Sequence, residues 1–354
     1  MKLLMNDNKK FDIVYLTNTP SFYKLNLCEA IAKRGVRILI VLYGYGDEAV
    51  NTELSNNSRW NFDFEFINQG NSNTRNKIHS FFRLIRLMRS IEAKKIIYAG
   101  WLAPEYNLYS FLSPRYKNAM VCESSIFDVS ISGINGWIKK RIINRMSVIL
   151  PSGQPHKDLF DSIGFNGPKY ITGSVGIFNK SDLLPKQTIS PLRYLFVGRL
   201  IEVKEVELLV SAFNRNGLPL TIAGDGALRD KLKAIAQPNI SFTGFIPNEQ
   251  IGALYSAHDV FILPSKYEPW GLVVEEALFR GLPVIVSDKV GSGIDMVKNL
   301  GTGEIFESGN QESLQAAIET VSSNYEKYRK AVDSIDWQQR DKNQVEAYLK
   351  LLDK

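Results

Sequence analysis

The sequence predicts an α/β chain of two doubly wound domains, each a parallel sheet with helices on both faces. Three observations predict it. Short β-prone apolar runs, such as Phe11 to Leu16 and Asp259 to Leu263, alternate with helix-period stretches through both halves of the chain. Most of these runs end in Gly-containing or polar turns, where open α/β sheets bind their ligands. The length of 354 residues makes two domains of ordinary size, and an interval rich in Gly and Pro separates the halves. The expected boundaries are a first domain over 1–175, a linker over 176–192, a second domain over 193–335 and a C-terminal helical segment over 336–354.

In the first half, Phe11 to Leu16 reads as a strand and Thr17 to Ser21 as a turn. A helix follows from Phe22 to Lys33, stopped by Gly35, and Val36 to Leu42 is a second strand. A β-α-β start of this kind calls for parallel strands and right-handed crossovers. The first turn then lies at the carboxyl ends of the strands, which makes Ser21, Tyr23 and Lys24 candidate acceptor contacts. Ser21 read as a plain helix cap is an equally good account. An edge strand is expected at Phe62 to Ile67, and further strands at Lys95 to Trp101, Ala119 to Ser125 and Val148 to Leu150. Glu123 and Ser124 stand at such a carboxyl end and join the acceptor candidates. Between them, Ile78 to Arg89 forms a helix with Arg83, Arg86 and Arg89 on one face and apolar residues on the others. Trp137 to Arg141, with Arg145, has the same basic and apolar character. Such helices pack on a domain core or lie on an anionic membrane. His79 and His258 read as helix-surface residues, and His156 as a loop residue.

In the second half, strands are expected at Arg193 to Leu200, Leu218 to Ala223, Ile240 to Phe245, Asp259 to Leu263 and Pro283 to Val286. Gly198-Arg199 ends the first of them and Lys204 follows at a helix start, which together make a cationic phosphate cradle. Gly224 and Gly226 allow a tight turn. After Asp259 to Leu263 come Pro264-Ser265-Lys266-Tyr267-Glu268-Pro269-Trp270-Gly271-Leu272, and then a helix that carries Glu276 two turns in. The first helical amides, near Gly271 and Leu272, lack partners within the helix and favour an anion. Two carboxylates beside an anion site suit a ligand with both hydroxyls and phosphates, such as a nucleotide sugar. Each glutamate alone is an ordinary first-turn helix residue.

Composition limits the classes further. The chain is 44% hydrophobic and 23% charged, a soluble globular balance. No apolar run approaches the roughly 20 residues of a membrane-spanning helix. Met1 to Asp7 is short and polar for a signal peptide. Cys28 and Cys122 offer neither a disulfide framework nor a metal cluster. A cytoplasmic protein is expected, peripheral at the inner face of the cell membrane. The net charge of +6 is uneven: residues 1–190 hold 25 Lys and Arg against 15 Asp and Glu, and residues 191–354 hold 18 against 22. The basic half points to an anionic surface or acceptor, with no sign of nucleic-acid binding.

Gly198-Arg199-Leu200 with Lys204, Gly224-Asp225-Gly226, Thr243-Gly244-Phe245, and Glu268-Pro269-Trp270-Gly271-Leu272 with Glu276 stand in fixed order. In that order and spacing the chain resembles the C-terminal domain of family 4 glycosyltransferases, from about residue 191 to 325. The resemblance implies the GT-B fold, two Rossmann-like domains facing a central cleft, and a C-terminal helix that crosses back to the first domain, its start pinned by Trp337. It implies that Arg199 and Lys204 neutralise the donor diphosphate and that amides near Gly271 and Leu272 bind its distal phosphate. It gives Glu276 the ribose hydroxyls, Glu268 the donor sugar near its reacting carbon, and Thr243, Gly244 and Phe245 the base pocket, with Gly224, Gly226 and Trp270 also at the donor. Three positions depart from the family pattern. Glu205 stands where a Gly usually follows the lysine, at a position read as helix surface where the change does little harm. Glu123-Ser124 replaces a His at the strand end of the first domain, and Trp270 replaces a Phe.

The expected reaction moves a sugar from a nucleoside diphosphate to a hydroxyl of a lipid-linked or polysaccharide acceptor, with retention of configuration, in bacterial surface-glycan biosynthesis. No Asp-x-Asp metal motif is present, and two cations with a helix end can do a metal's work, so neither cofactor nor metal is expected. The alternatives are a GT-B nucleotide-sugar epimerase and a non-catalytic nucleotide-sugar-binding subunit of a glycan assembly complex. The ordered glutamate pair and the Arg and Lys cradle argue against both.

Overall fold

The structure is a computed structural model and describes residues 9–18, 20–44, 60–68, 74–101, 103–180 and 190–353. Thr19 of the first turn, the polar run 50–59 and the linker residues 181–189 lie outside the described residues, as do Met1 to Asp7. The chain divides into two compact units, Met1–Asn179 with Gln338–Lys354, and Lys180–Trp337.

The first unit holds a six-stranded parallel sheet in the order β3-β2-β1-β4-β5-β6. Its strands are β1 (Lys9–Thr17), β2 (Ile38–Leu42), β3 (Asp63–Phe66), β4 (Ile91–Ala99), β5 (Asn118–Cys122) and β6 (Val148–Pro151). Its helices are α1 (Phe22–Ala32), α2 (Lys77–Arg89), α3 (Pro104–Tyr109), α4 (Gly133–Ile143) and α5 (Gln154–Ile163), joined by the final helix α12 (Trp337–Leu349). β1 is central, with Val14 paired to Leu39 on one side and Ile96 on the other. Both sheet faces are covered, so β1 is apolar at successive positions instead of alternating. Val14 and Leu16 face a core that includes Leu84 and Met88 of α2. Ile13 and Tyr15 face the opposite core, built with Leu25, Cys28 and Ile31 of α1 and with Val345, Tyr348 and Leu351. The last helix thus packs as an element of the first unit. An ion pair between Arg34 and Glu346, 2.8 Å, adds to that contact.

The second unit repeats the plan, in the order β12-β11-β10-β7-β8-β9. Its strands are β7 (Tyr194–Val197), β8 (Leu220–Ala223), β9 (Ile240–Gly244), β10 (Val260–Leu263), β11 (Val284–Ser287) and β12 (Gly303–Phe306). Its helices are α6 (Val206–Asn216), α7 (Arg229–Ile235), α8 (Asn248–Ser256), α9 (Leu272–Phe279), α10 (Gln311–Ser323) and α11 (Tyr325–Asp333). In both sheets the strand order reverses beside the first strand. In the second unit that switch point lies between β7 and β10, which are hydrogen-bonded neighbours.

Several expectations change. β12 and α3 were not anticipated from the sequence, and neither was the π-helical turn Gly293–Lys298 after the loop at 288–292. His156 is not in a loop: Pro155 opens α5, and the His156 side chain is fully buried. His258 is not on a helix surface. It is buried, with Nδ1 2.7 Å from the Leu254 carbonyl and Nε2 2.8 Å from Thr221 Oγ1. His79 is exposed on α2, as expected.

Candidate active site

The loops after β7 and β10 meet at the switch point of the second sheet, where a doubly wound fold places its ligand. They are stitched by backbone bonds. Lys266 N–H donates to the Val203 carbonyl at 2.8 Å, and Glu268 N–H donates to the Lys289 carbonyl at 3.1 Å. Gly291 and Ser292 donate back to the carbonyls of Glu268 and Trp270. The loop that carries Glu268 is therefore held on both flanks.

The side chains follow from this frame. Lys204 Nζ is hydrogen-bonded to Glu268 Oε2, and both groups are largely shielded from solvent. Arg199 is exposed, and among the described residues no carboxylate pairs with it. The structure thus brings Lys204 and Glu268 together and leaves the guanidinium of Arg199 open to a ligand. Gly271 adopts φ +86°, and a Cβ there would lie 3.2 Å from Glu268 Cγ, Leu263 Cδ2 and Val290 Cγ1. Glycine is what lets the chain turn sharply into α9 beneath Glu268. The amides of Leu272 and Val273 open that helix with no partner inside it.

Glu276 lies one turn into α9, not two, because the helix begins only at Leu272. Tyr255 of α8 donates its hydroxyl to Glu276 Oε2 at 3.3 Å. Burial pushes the Glu276 carboxyl up to about 7. The neighbouring Glu275 adds to the rise, while the Tyr255 hydrogen bond and Arg280 oppose it. Tyr255 escapes a reading of the sequence, since only folding brings α8 against α9.

Gly224 and Gly226 serve the frame. A Cβ at Gly224 would fall 1.8 Å from the Gly198 carbonyl oxygen, so this glycine lets the β8 turn seat the Gly198-Arg199-Leu200 segment. Thr243 and Phe245 are exposed at the end of β9, beside Gly244. Trp270 does not line an open pocket with its ring. It is 2% exposed, and its indole N–H donates to the buried Glu275 Oε1 at 3.0 Å, which anchors the loop at the start of α9.

Glu205 is not a harmless helix-surface residue. It takes the left-handed conformation, φ 48° and ψ 36°, because the 3-10 turn Glu202–Lys204 ends one residue before α6 begins. This is the conformation that favours glycine.

The acceptor candidates cluster at the carboxyl edge of the first sheet. Lys24 is buried, with Nζ 3.1 Å from Glu123 Oε1 and 3.5 Å from Asn18 Oδ1. Burial alone would lower the pKa of the Lys24 ammonium, but Glu123 and the nearby Tyr23 outweigh it and hold the pKa above its ordinary value. Ser21 makes no side-chain cap bond, and its Oγ is buried without a partner among the described residues. The Tyr23 carbonyl accepts from Ile177 N–H at 3.0 Å, with Tyr23 packed against Gly176, and Ser124 is half-buried just beyond β5. Among the described residues there is no group of three or more His, Cys, Asp or Glu that could hold a metal ion, and no helix is long and apolar enough to cross a membrane.

Solved structures share this architecture along nearly the whole chain. The lipopolysaccharide outer core galactosyltransferase WaaB superposes with a TM-score of 0.70 at 15% identity, covering 97% of this chain and 99% of that one. Anabaena HepE in complex with UDP superposes with a TM-score of 0.66 at 16% identity, covering 96% and 95%. The chain therefore has the two-domain GT-B fold of glycosyltransferases. Residues 184–335 match the family described as glycosyl transferases group 1. Among curated relatives, an uncharacterised glycosyltransferase of Methanocaldococcus jannaschii is 34% identical over 140 residues, 37% of this chain and 36% of the relative. A GDP-mannose-dependent alpha-mannosyltransferase of Mycolicibacterium smegmatis is 36% identical over 134 residues, 38% of this chain and 35% of the relative. The match thus spans about a third of the length of these relatives.

Proposed function

We propose that the chain is a retaining glycosyltransferase that moves a sugar from a nucleoside-diphosphate sugar to a hydroxyl of a lipid-linked or polysaccharide acceptor in bacterial surface-glycan biosynthesis. The observation that carries this reading is the Lys204–Glu268 pair at the switch point, with exposed Arg199 and the open end of α9 around it. Arg199, Lys204 and the α9 amides take up the negative charge that grows on the leaving diphosphate, an electrostatic contribution that is often the largest in an enzyme. Before donor binds, Glu268 and Lys204 neutralise each other. The diphosphate draws Lys204 away and frees Glu268 for the sugar. Glu276 accepts from the ribose hydroxyls, with Tyr255 holding its second oxygen. Thr243, Gly244 and Phe245 border the base.

The first unit binds the acceptor through Ser21, Tyr23, Lys24, Glu123 and Ser124. Its basic surface contacts an anionic membrane. Ile78 and Phe82 on α2, and Ile134, Trp137 and Ile138 on α4, are exposed apolar residues set among Arg86, Lys140 and Arg141. An amphipathic surface of this composition lies in a lipid interface.

The reaction needs no metal, because the cations and the helix end face the same charge a metal would. Turnover is expected to persist in excess chelator, and its loss there would refute this part of the reading. The donor assignment is tested by thermal shift across a panel of nucleoside diphosphates and their sugars. At least one nucleotide should raise the melting temperature in wild type and fail to do so in Arg199→Ala. A panel without any shift would count against the donor site.

A further inference from the structure

Among the described residues, Glu205 is the only non-glycine residue with positive φ. An L side chain is strained in this region, whereas glycine is not. Glu205 directly follows Lys204. Its N–H donates to the Glu202 carbonyl at 3.0 Å and its carbonyl accepts from Leu208 N–H at 3.1 Å, bonds that a glycine would make equally well. The reason for a side chain must therefore lie in the side chain. It makes no cap bond to α6. Ser308 Oγ donates to Glu205 Oε2 at 3.3 Å, and Lys266 Nζ lies 3.8 Å from Oε1. Lys266 stands two residues before Glu268 in the loop after β10. Ser308 follows β12, and its N–H donates to Asp288 Oδ1 at 2.9 Å. One carboxylate, 12% exposed, thus joins the loops after β7, β10 and β12. Strained residues persist where the surroundings over-determine them, and they gather at functional sites.

We propose that Glu205 is a positioning residue for the donor diphosphate. Its carboxylate clamps the Lys204 turn against the Glu268 loop, so that the ammonium of Lys204 and the carboxylate of Glu268 meet an incoming diphosphate in fixed register. The proposal rests on the donor-site reading above. Lys266 is 63% exposed, so its ion pair with Glu205 adds little to folding stability. The clamp acts on the geometry of the site, and the strained backbone is what the fold gives up for it.

The test uses the full chain and three nucleotides, UDP, GDP and ADP, with affinity read by calorimetry and melting temperature read in parallel. Glu205→Gly relieves the backbone, so its melting temperature should equal or exceed that of wild type. Its affinity for whichever nucleotide wild type binds should nevertheless fall about three- to tenfold, the scale of one hydrogen bond. Glu205→Gln keeps one acceptor oxygen but loses the charge that draws Lys266, so its affinity should lie between those of wild type and the glycine variant. A glycine variant that binds as tightly as wild type, or a glutamine variant as weak as the glycine one, overturns the role. Absence of nucleotide binding in wild type itself overturns the donor-site reading, and this proposal falls with it.

Discussion

At the scale of single residues, Glu268 and Glu276 of the second unit are assigned different work in the proposed reaction because their surroundings differ. Glu268 is paired with Lys204, whereas Glu276 is packed beneath α8 with Tyr255 on one oxygen. Glu268→Ala should abolish transfer and leave nucleotide affinity within a few-fold of wild type. Arg199→Ala should weaken nucleotide binding by about 1.5–3 kcal/mol, the scale of a charge-assisted hydrogen bond, measured by calorimetry. The raised Glu276 carboxyl adds a pH signature. The folded state holds this proton more tightly than the unfolded chain, so stability falls as pH rises from the ordinary carboxylate range through about 7. Glu276→Gln removes the effect, and its gain in melting temperature over wild type should be larger at pH 8 than at pH 5; an equal gain at both would exclude it. The roles proposed for Arg199, Lys204 and Glu268 came from the family resemblance, whereas their placing in the loops after β7 and β10 was legible because both loops follow apolar runs. Glu205 was not, because the sequence does not say that a 3-10 turn ends one residue before the helix. Tyr255 was not, because its partner lies on another helix.

At the scale of elements, the proposed donor site is a set of turns whose glycines answer to contacts across the sheet. Gly271→Ala forces a left-handed alanine against Glu268, Leu263 and Val290. A left-handed L residue costs about 1–2 kcal/mol, so the variant should melt earlier and bind nucleotide more weakly. A variant with unchanged melting and binding would show that this turn is not pinned as described. The strand–turn–helix pattern was plain in the sequence, since strands buried on both faces read as unbroken apolar runs. β12 was not. It is four residues long and carries Glu304, and its pairing depends on Gly303, where a Cβ would fall 1.7 Å from the Val284 carbonyl oxygen. Such a glycine looks like any turn glycine until its neighbour is known.

At the scale of the whole molecule, the uneven charge fits the proposed division of labour between the units. The basic, aromatic surface of α2 and α4 should carry the chain to vesicles containing anionic lipid at low salt, and binding should weaken as salt screens it. Trp137→Ala with Phe82→Ala should reduce that binding without altering nucleotide affinity. Equal binding to neutral and anionic vesicles would contradict the assignment. The charge division was readable from composition, and the final helix with its return to the first domain was expected from the family resemblance. That α12 packs beside α1 through Val345 and Tyr348 was not legible, because these residues do not name their partners. The most direct test of the account is transfer itself. Purified wild type and Glu268→Ala would be incubated with radiolabelled nucleotide sugars and membrane extract. The account predicts label in a glycolipid or polysaccharide product with wild type, and none with the variant although the variant still binds the nucleotide. Neither transfer nor hydrolysis by wild type with any donor that binds, or full activity in Glu268→Ala, would contradict it.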